Sequence, residues 1–152
     1  MNNKKKCFFE VISSFKEKKI NLPQRQTNYS AGYDLEAAEQ VEIYPQKISL
    51  IPTGVKASFP NNQVLLIYVR SSLPLKKGLM LANNVGVIDS DYYNNKKNEG
   101  HIFIALYNFS DKTVQIEKHE RIAQGIFQNF YLTYDDNTEK KKKRKSGFGS
   151  TN

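Results

Sequence analysis

Short apolar stretches recur along this chain at 41–44, 48–51, 54–59, 64–69, 101–107, 113–116 and 122–132. Pro45, Pro52, the run Pro60-Asn61-Asn62, Pro74 and the polar segment 108–112 divide them. None holds a helical period for three turns. Stretches this short, rich in β-branched and aromatic residues and bounded by turn formers, predict strands; many of them in series predict an all-β fold, a jelly-roll-like sandwich or barrel. A first strand is expected at 7–12, a charged turn at 16–19 and a loop around Pro23, while 36–39 is too brief for a helix.

Within this pattern 83–92 is the most informative stretch. Val85, Val87 and Ile88 read as a strand or hairpin arm. Gly86 interrupts them, which suggests a bulge or a close approach of another backbone. Asp89 and Asp91 follow at i, i+2, a spacing that puts both on one face of an extended chain. A carboxylate at that point can act as a general base or cap a turn, and the local pattern leaves both open.

The pattern changes after Tyr134. Residues 135–145 contain no apolar side chain, whereas 146–151 set Phe148 between Gly147 and Gly149, with Ser150 next. A body over 1–134 and a flexible arm over 135–152 are expected; the arm either orders over a ligand or is a frayed tail.

Composition narrows the class. With 152 residues, 39% hydrophobic and 12% aromatic, the chain can bury one real core. Nothing in it approaches a membrane-spanning apolar run. The basic start leads into too few apolar residues for a signal-peptide core. A single cysteine, Cys7, excludes an internal disulfide framework and fits a reducing compartment, so a cytoplasmic location is expected. One Cys and two separated His leave no Cys/His zinc site. The net charge of +8 suggests nucleic acid until its distribution is read. Segment 1–29 has seven Lys/Arg against Glu10 and Glu17, and 140–152 has six with no acid; 30–139 has ten against thirteen acids. The body is mildly acidic and the ends are cationic. That fits an end closing on a polyanionic small molecule, with no specific nucleic acid as partner.

Three further constellations could carry chemistry. Arg70-Ser71-Ser72 follows the most apolar run and offers a guanidinium and two hydroxyls, a phosphate cradle or an ion pair with a helix cap. In 121–124, alternation puts Arg121 and Ala123 on one face and Ile122 and Gln124 on the other, as in an edge strand. Asp34 reaches a metal through water or caps a turn.

Taken in order, these stretches resemble the trimeric deoxyuridine triphosphatase (dUTPase) family in all five of its motifs. They are 31–35 (Ala-Gly-Tyr-Asp-Leu), 70–72 (Arg-Ser-Ser), 83–92, 120–124 (Glu-Arg-Ile-Ala-Gln) and 147–151 (Gly-Phe-Gly-Ser-Thr). The resemblance implies a jelly-roll homotrimer with active sites shared between subunits, hydrolysing dUTP to dUMP and pyrophosphate with Mg²⁺ on the triphosphate. It implies that Asp89 activates the water attacking the α-phosphorus. It assigns Asn83, Gly86 and Val87 to the uracil edge, Tyr92 to the deoxyribose and Phe148 to stacking on the base. Arg70, Ser71, Ser72, Gln124, Arg144, Gly149 and Ser150 become phosphate contacts, and Asp34 touches the metal through water.

The chain departs from the family's pattern in places. The segment 93–100 is longer than the short turn usual after the Asp-Tyr pair, and the arm arginine falls at Arg144, where family spacing points to Lys143. A planar fork suits phosphate better than an ammonium, which favours Arg144. The related dCTP deaminases carry a catalytic glutamate where this chain has Ala105, so deamination lacks its proton carrier. Another reading is a regulatory binding protein of the same fold, with a protein regulator docking on 93–99. The lysine run 140–145 is also open to reading as a nuclear-localisation or nucleic-acid patch.

Overall fold

Eleven strands carry the apolar stretches in a computed structural model that describes residues 6–136 together with Lys141, Arg144 and Gly147. In chain order they are β1 (Phe8–Val11), β2 (Tyr33–Glu36), β3 (Val41–Ile43), β4 (Ile48–Pro52), β5 (Val55–Ser58), β6 (Gln63–Val69), β7 (Leu79–Leu81), β8 (Gly86–Asp89), β9 (Phe103–Asn108), β10 (Val114–Ile116) and β11 (Arg121–Asn129). One short helix, α1 (Ser72–Lys77), interrupts them, with 3-10 turns at Ser13–Lys18 and Ser90–Tyr92. The expected charged turn at 16–19 is thus the end of a 3-10 turn. It is nucleated by Phe15, which turns inward, and stopped by Lys19 at φ 51°.

All pairings are antiparallel. The sheet that organises the molecule runs β2-β11-β6-β8; a second runs β4-β9-β7, and β1-β5 and β10-β3 form two ribbons. Alternation along β6 and β9 sends Leu65, Ile67, Ile104 and Leu106 inward, where they meet Leu35, Ile51, Leu79 and Ile122 in one core. Full burial of each such side chain stabilises the fold by roughly 1.5–3 kcal/mol. The same alternation leaves an apolar outer face on the second sheet. Ile48, Leu50 and Met80 are exposed there, beside the half-buried Phe103, Ala105 and Tyr107, with Ile48 and Met80 both opposite Tyr107.

Segment 121–124 departs from simple alternation. Arg121 pairs with Glu36 while Ala123 pairs with Leu35, a register shift that buries both Ile122 and Ala123. Arg121 and Ala123 therefore do not share a face as expected. The bulge absorbs one residue and re-aims Arg121 outward.

Candidate functional site

The first half of the site is built at the end of β8. Residues Asn83 to Val85 turn tightly, with Asn84 at φ 58° and the Val85 N–H donating to the Asn83 carbonyl at 2.6 Å. Gly86 then pairs with Ile67, and a Cβ there would stand 3.0 Å from the Ile67 Cβ, so glycine permits the approach. Asp89 closes the strand opposite Val64. Between this hairpin and β9 lies a cleft of about 400 Å³, with Asn83, Gly86, Val87, Asp89 and Tyr92 on its walls and Ala105 on β9.

Asp91 leaves the extended chain, because Ser90–Tyr92 coils into a 3-10 turn, so the face-sharing expected from i, i+2 spacing does not apply. The two carboxylates are joined another way. Arg144 donates through Nε to Asp91 Oδ1 at 2.7 Å and pairs through Nη2 with Asp89 Oδ2. Gly147 rests on the ring of Tyr92. Tyr92 is buried, and its hydroxyl donates to the His101 carbonyl at 2.7 Å. Burial pushes the Tyr92 phenol up, against the Asn98 amide and the Arg144 charge. His101 lies behind it, its imidazole lowered to about 4 by burial against the opposing charge of Glu99. Its Nε2 accepts the Gly54 N–H at 2.9 Å, as a neutral ring can.

The second half gathers on β2, β11 and the start of α1. Asp34 lies opposite Gln124 in the ladder, and its backbone N–H donates to the Gln24 carbonyl at 2.8 Å. One carboxylate oxygen faces Arg70 Nε at 3.3 Å and the other Arg121 Nη1 at 3.4 Å. The Gln124 amide lies over Gly32, in space a Cβ would take. Ser71 precedes α1 without making a capping hydrogen bond, and Ser72 begins it, so Arg70 and both serines stand at one corner. Two guanidiniums on the Asp34 carboxylate, the Gln124 amide opposite it in the ladder and the two hydroxyls that follow Arg70 are donors suited to phosphoryl oxygens.

Within one chain the two halves stay apart. Asp89 is level with Val64 on β6, Gln124 with Tyr68 four residues on, and Asp34 is a further strand away. At about 3.3 Å per residue and 4.8 Å per strand, Asp89 and Asp34 are separated by roughly 20 Å. Asn83, Gly86, Val87, Asp89, Tyr92 and Arg144 come together; so do Asp34, Arg70, Ser71, Ser72 and Gln124. Phe148, Gly149, Ser150 and Lys143 lie outside the described residues. Sequence reasoning missed Arg121 as a partner of Asp34, and Asn98 as a partner of Tyr92. A bulge re-aims the first, and the second sits in an asparagine-rich run that reads only as loop.

Among the described residues no group of three or more His, Cys, Asp or Glu could hold a metal ion by itself. Both oxygens of Asp34 already face cations, which leaves a water-mediated contact to an ion brought in on phosphates.

Comparison with known proteins bears on the family and the fold. The sequence profile of the dUTPase family matches residues 18–152. A deoxyuridine 5'-triphosphate nucleotidohydrolase of Lactococcus lactis subsp. lactis (strain IL1403) is 54% identical over 143 residues, covering 94% of this chain and 95% of that protein. The crystal structure of dUTPase from Streptococcus mutans superposes with a TM-score of 0.80 at 51% identity, covering 83% of this chain and 98% of that one. The dUTPase from phage phi11 of S. aureus shares the fold at a TM-score of 0.73 and 22% identity, covering 89% of this chain and 97% of that one.

Proposed function

The chain belongs to the dUTPase family, and from that premise we propose how its residues divide the hydrolysis of dUTP to dUMP and pyrophosphate. The observation that carries the proposal is the separation of the Asp89 cleft from the Asp34, Arg70 and Gln124 cluster. A base acting at the α-phosphorus must stand within one water of it, and the phosphate donors must stand beside the same atoms. Roughly 20 Å of sheet between them, by strand spacing, supports a site completed by a second chain. Each complete site therefore joins the cleft of one subunit to the phosphate cluster of the next, in a homotrimer. The apolar outer face of β4, β9 and β7 supports such assembly, since exposed Ile48, Leu50 and Met80 gain from being covered by a second copy.

In the cleft, Asn83 and the backbone around Gly86 and Val87 read the uracil edge. A site of such fixed donors and acceptors rejects cytosine, whose pattern is reversed. Tyr92 forms the floor under the deoxyribose, and Phe148, next to Gly147, stacks on the base. Asp89 orients the attacking water and takes its proton. Its half-exposed side chain can reach that water once the Arg144 guanidinium moves from the carboxylate to the terminal phosphate. Arg70, Ser71, Ser72 and Gln124, with Gly149 and Ser150 of the arm, hold the remaining phosphoryl oxygens.

The family uses Mg²⁺, which when bound neutralises charge developing on the phosphates. Asp34, which holds Arg70 in place, would contact such an ion through water. Ala105 at the cleft wall supports hydrolysis over the related deamination of dCTP, because an apolar methyl carries no proton. No helix among the described residues is long and apolar enough to cross a membrane. A cytoplasmic place agrees with a lone, unpaired Cys7.

Mixing two inactive variants tests the shared site. Asp89→Asn and Arg70→Ala, each inactive alone, are unfolded together and refolded as mixed trimers. Random assortment should return about a quarter of wild-type activity, because some sites then draw both intact residues from different chains. No recovery from properly assembled mixed trimers would locate the whole site in one chain.

A further inference from the structure

We infer that Asn98, braced by Asn95, is a positioning residue for the Tyr92 ring and so sets the discrimination between deoxyribose and ribose. The inference rests on the reading of Tyr92 as the floor of the sugar site. A phenol has one hydrogen to give and two lone pairs. The Tyr92 hydrogen goes to the His101 carbonyl at 2.7 Å, and one lone pair accepts from Asn98 Nδ2 at 2.8 Å. Asn98 is itself held: its Oδ1 accepts from Asn95 Nδ2 at 2.7 Å and from the Gly100 N–H at 3.1 Å. The buried Asn95 also donates to the Tyr92 carbonyl at 2.8 Å, while its Oδ1 accepts from the N–H groups of Lys97 and Asn98 at 3.0 and 3.2 Å. Two adjacent amides thus fasten Tyr92 at its backbone and at its hydroxyl.

The loop that carries them is shaped for this and anchored from outside. Asn94, Glu99 and Gly100 all have positive φ, and a Cβ on Gly100 would stand 2.7 Å from the Tyr92 carbonyl oxygen. The Glu99 carboxylate accepts from the Ser13 N–H at 3.0 Å, the Ser13 hydroxyl at 2.9 Å and Lys56 Nζ at 3.3 Å. Tyr92 therefore cannot swing away without breaking a chain of hydrogen bonds running back to the first 3-10 turn.

Stiffness is what selectivity against an added hydroxyl requires. An apolar wall free to retreat rejects a substrate carrying one more oxygen only weakly. A wall fixed at both ends makes the 2′-oxygen meet the ring at full steric cost. The longer 93–100 segment thus acts on the sugar through Tyr92 while touching no substrate itself.

The test compares kcat/KM for dUTP and UTP, with Mg²⁺, in the full-length chain and in Asn98→Asp, Asn98→Ala, Tyr92→Phe and the Asn98→Ala/Tyr92→Phe double variant. Asn98→Asp keeps the acceptor for Asn95 and Gly100 but sets a charged acceptor where the donor stood, so the single phenol hydrogen can hold the His101 carbonyl or the new carboxylate but not both, and one of the two ties at the hydroxyl is lost. It should melt close to wild type and lose on the order of tenfold in dUTP-over-UTP preference, mainly through faster turnover of UTP. Tyr92→Phe should reproduce that loss, and adding Asn98→Ala to it should cost nothing further. Should Asn98→Ala not fold, Asn98→Asp and Tyr92→Phe decide the matter between them. Full preference in folded Asn98→Asp, or an equal further loss from Asn98→Ala in the Tyr92→Phe background, would overturn the inference. A wild-type chain hydrolysing UTP as readily as dUTP would instead count against the sugar-site reading itself.

Discussion

Gly147 lies so close against Tyr92 that a Cβ built on it would stand 2.7 Å from the ring's Cε2. Glycine is thus what lets residue 147 approach the Tyr92 ring. Gly147→Ala should lower kcat/KM for dUTP by about tenfold, in line with an overpacking cost of roughly 1–3 kcal/mol. The melting temperature should not move, because the contact lies outside the core. Steady-state kinetics beside a thermal melt separates the two effects, and a destabilised but fully active variant would contradict this role.

Asp89 ends β8 with its side chain at the cleft mouth. Asp89→Asn keeps the shape and removes the proposed base, so turnover should fall by about 10²–10⁴ while a non-hydrolysable dUTP analogue still binds. Isothermal titration together with pyrophosphate release measures both. Near-normal turnover would remove Asp89 from the chemistry.

Leu50 stands on the outer face of β4 opposite Ala105, exposed in the single chain. A carboxylate covered there by a second copy without a partner would cost several kcal/mol. Leu50→Glu should therefore sediment as a monomer with native β-sheet circular dichroism, and should lose dUTP hydrolysis along with assembly. An active monomer would refute the shared site.

His101 sits below its ordinary range, at about 4 against a reference of 6.5, because burial disfavours the charged ring. The unfolded chain therefore takes up the proton first as the solution is acidified. Stability from this group is complete above about pH 6.5 and is lost as pH falls toward 4, by an amount of order 3 kcal/mol. Urea unfolding from pH 7 to 4 should show the slope, and His101→Gln should flatten it.

Much of the fold was legible in the sequence because strands announce themselves by local means. The runs around β3, β4, β5, β6 and β9 alternate or cluster apolar residues between turn formers, and each is found within a residue or two of its expected place. β2 and β7 were not delineated, since Tyr33–Glu36 and Leu79–Leu81 are too short to show a period and owe their strand form to neighbours already in the sheet.

The candidate site residues can be picked out in the sequence, since a guanidinium, a paired hydroxyl and a carboxylate after an apolar run are chemical facts of the chain. Their arrangement was not. Alternation could not foresee the slip between Arg121 and Ala123, because a bulge is settled by which register the partner strand allows. Asparagines at 95 and 98 read as solvated loop until the chain closes and turns them onto Tyr92. The roughly 20 Å between Asp89 and Asp34 follows from strand order and register together. An all-β chain and its candidate chemistry can be read from local residue pattern. That the candidate residues fall into two separate halves emerges on folding, because pairing across a sheet is a long-range choice no local pattern encodes.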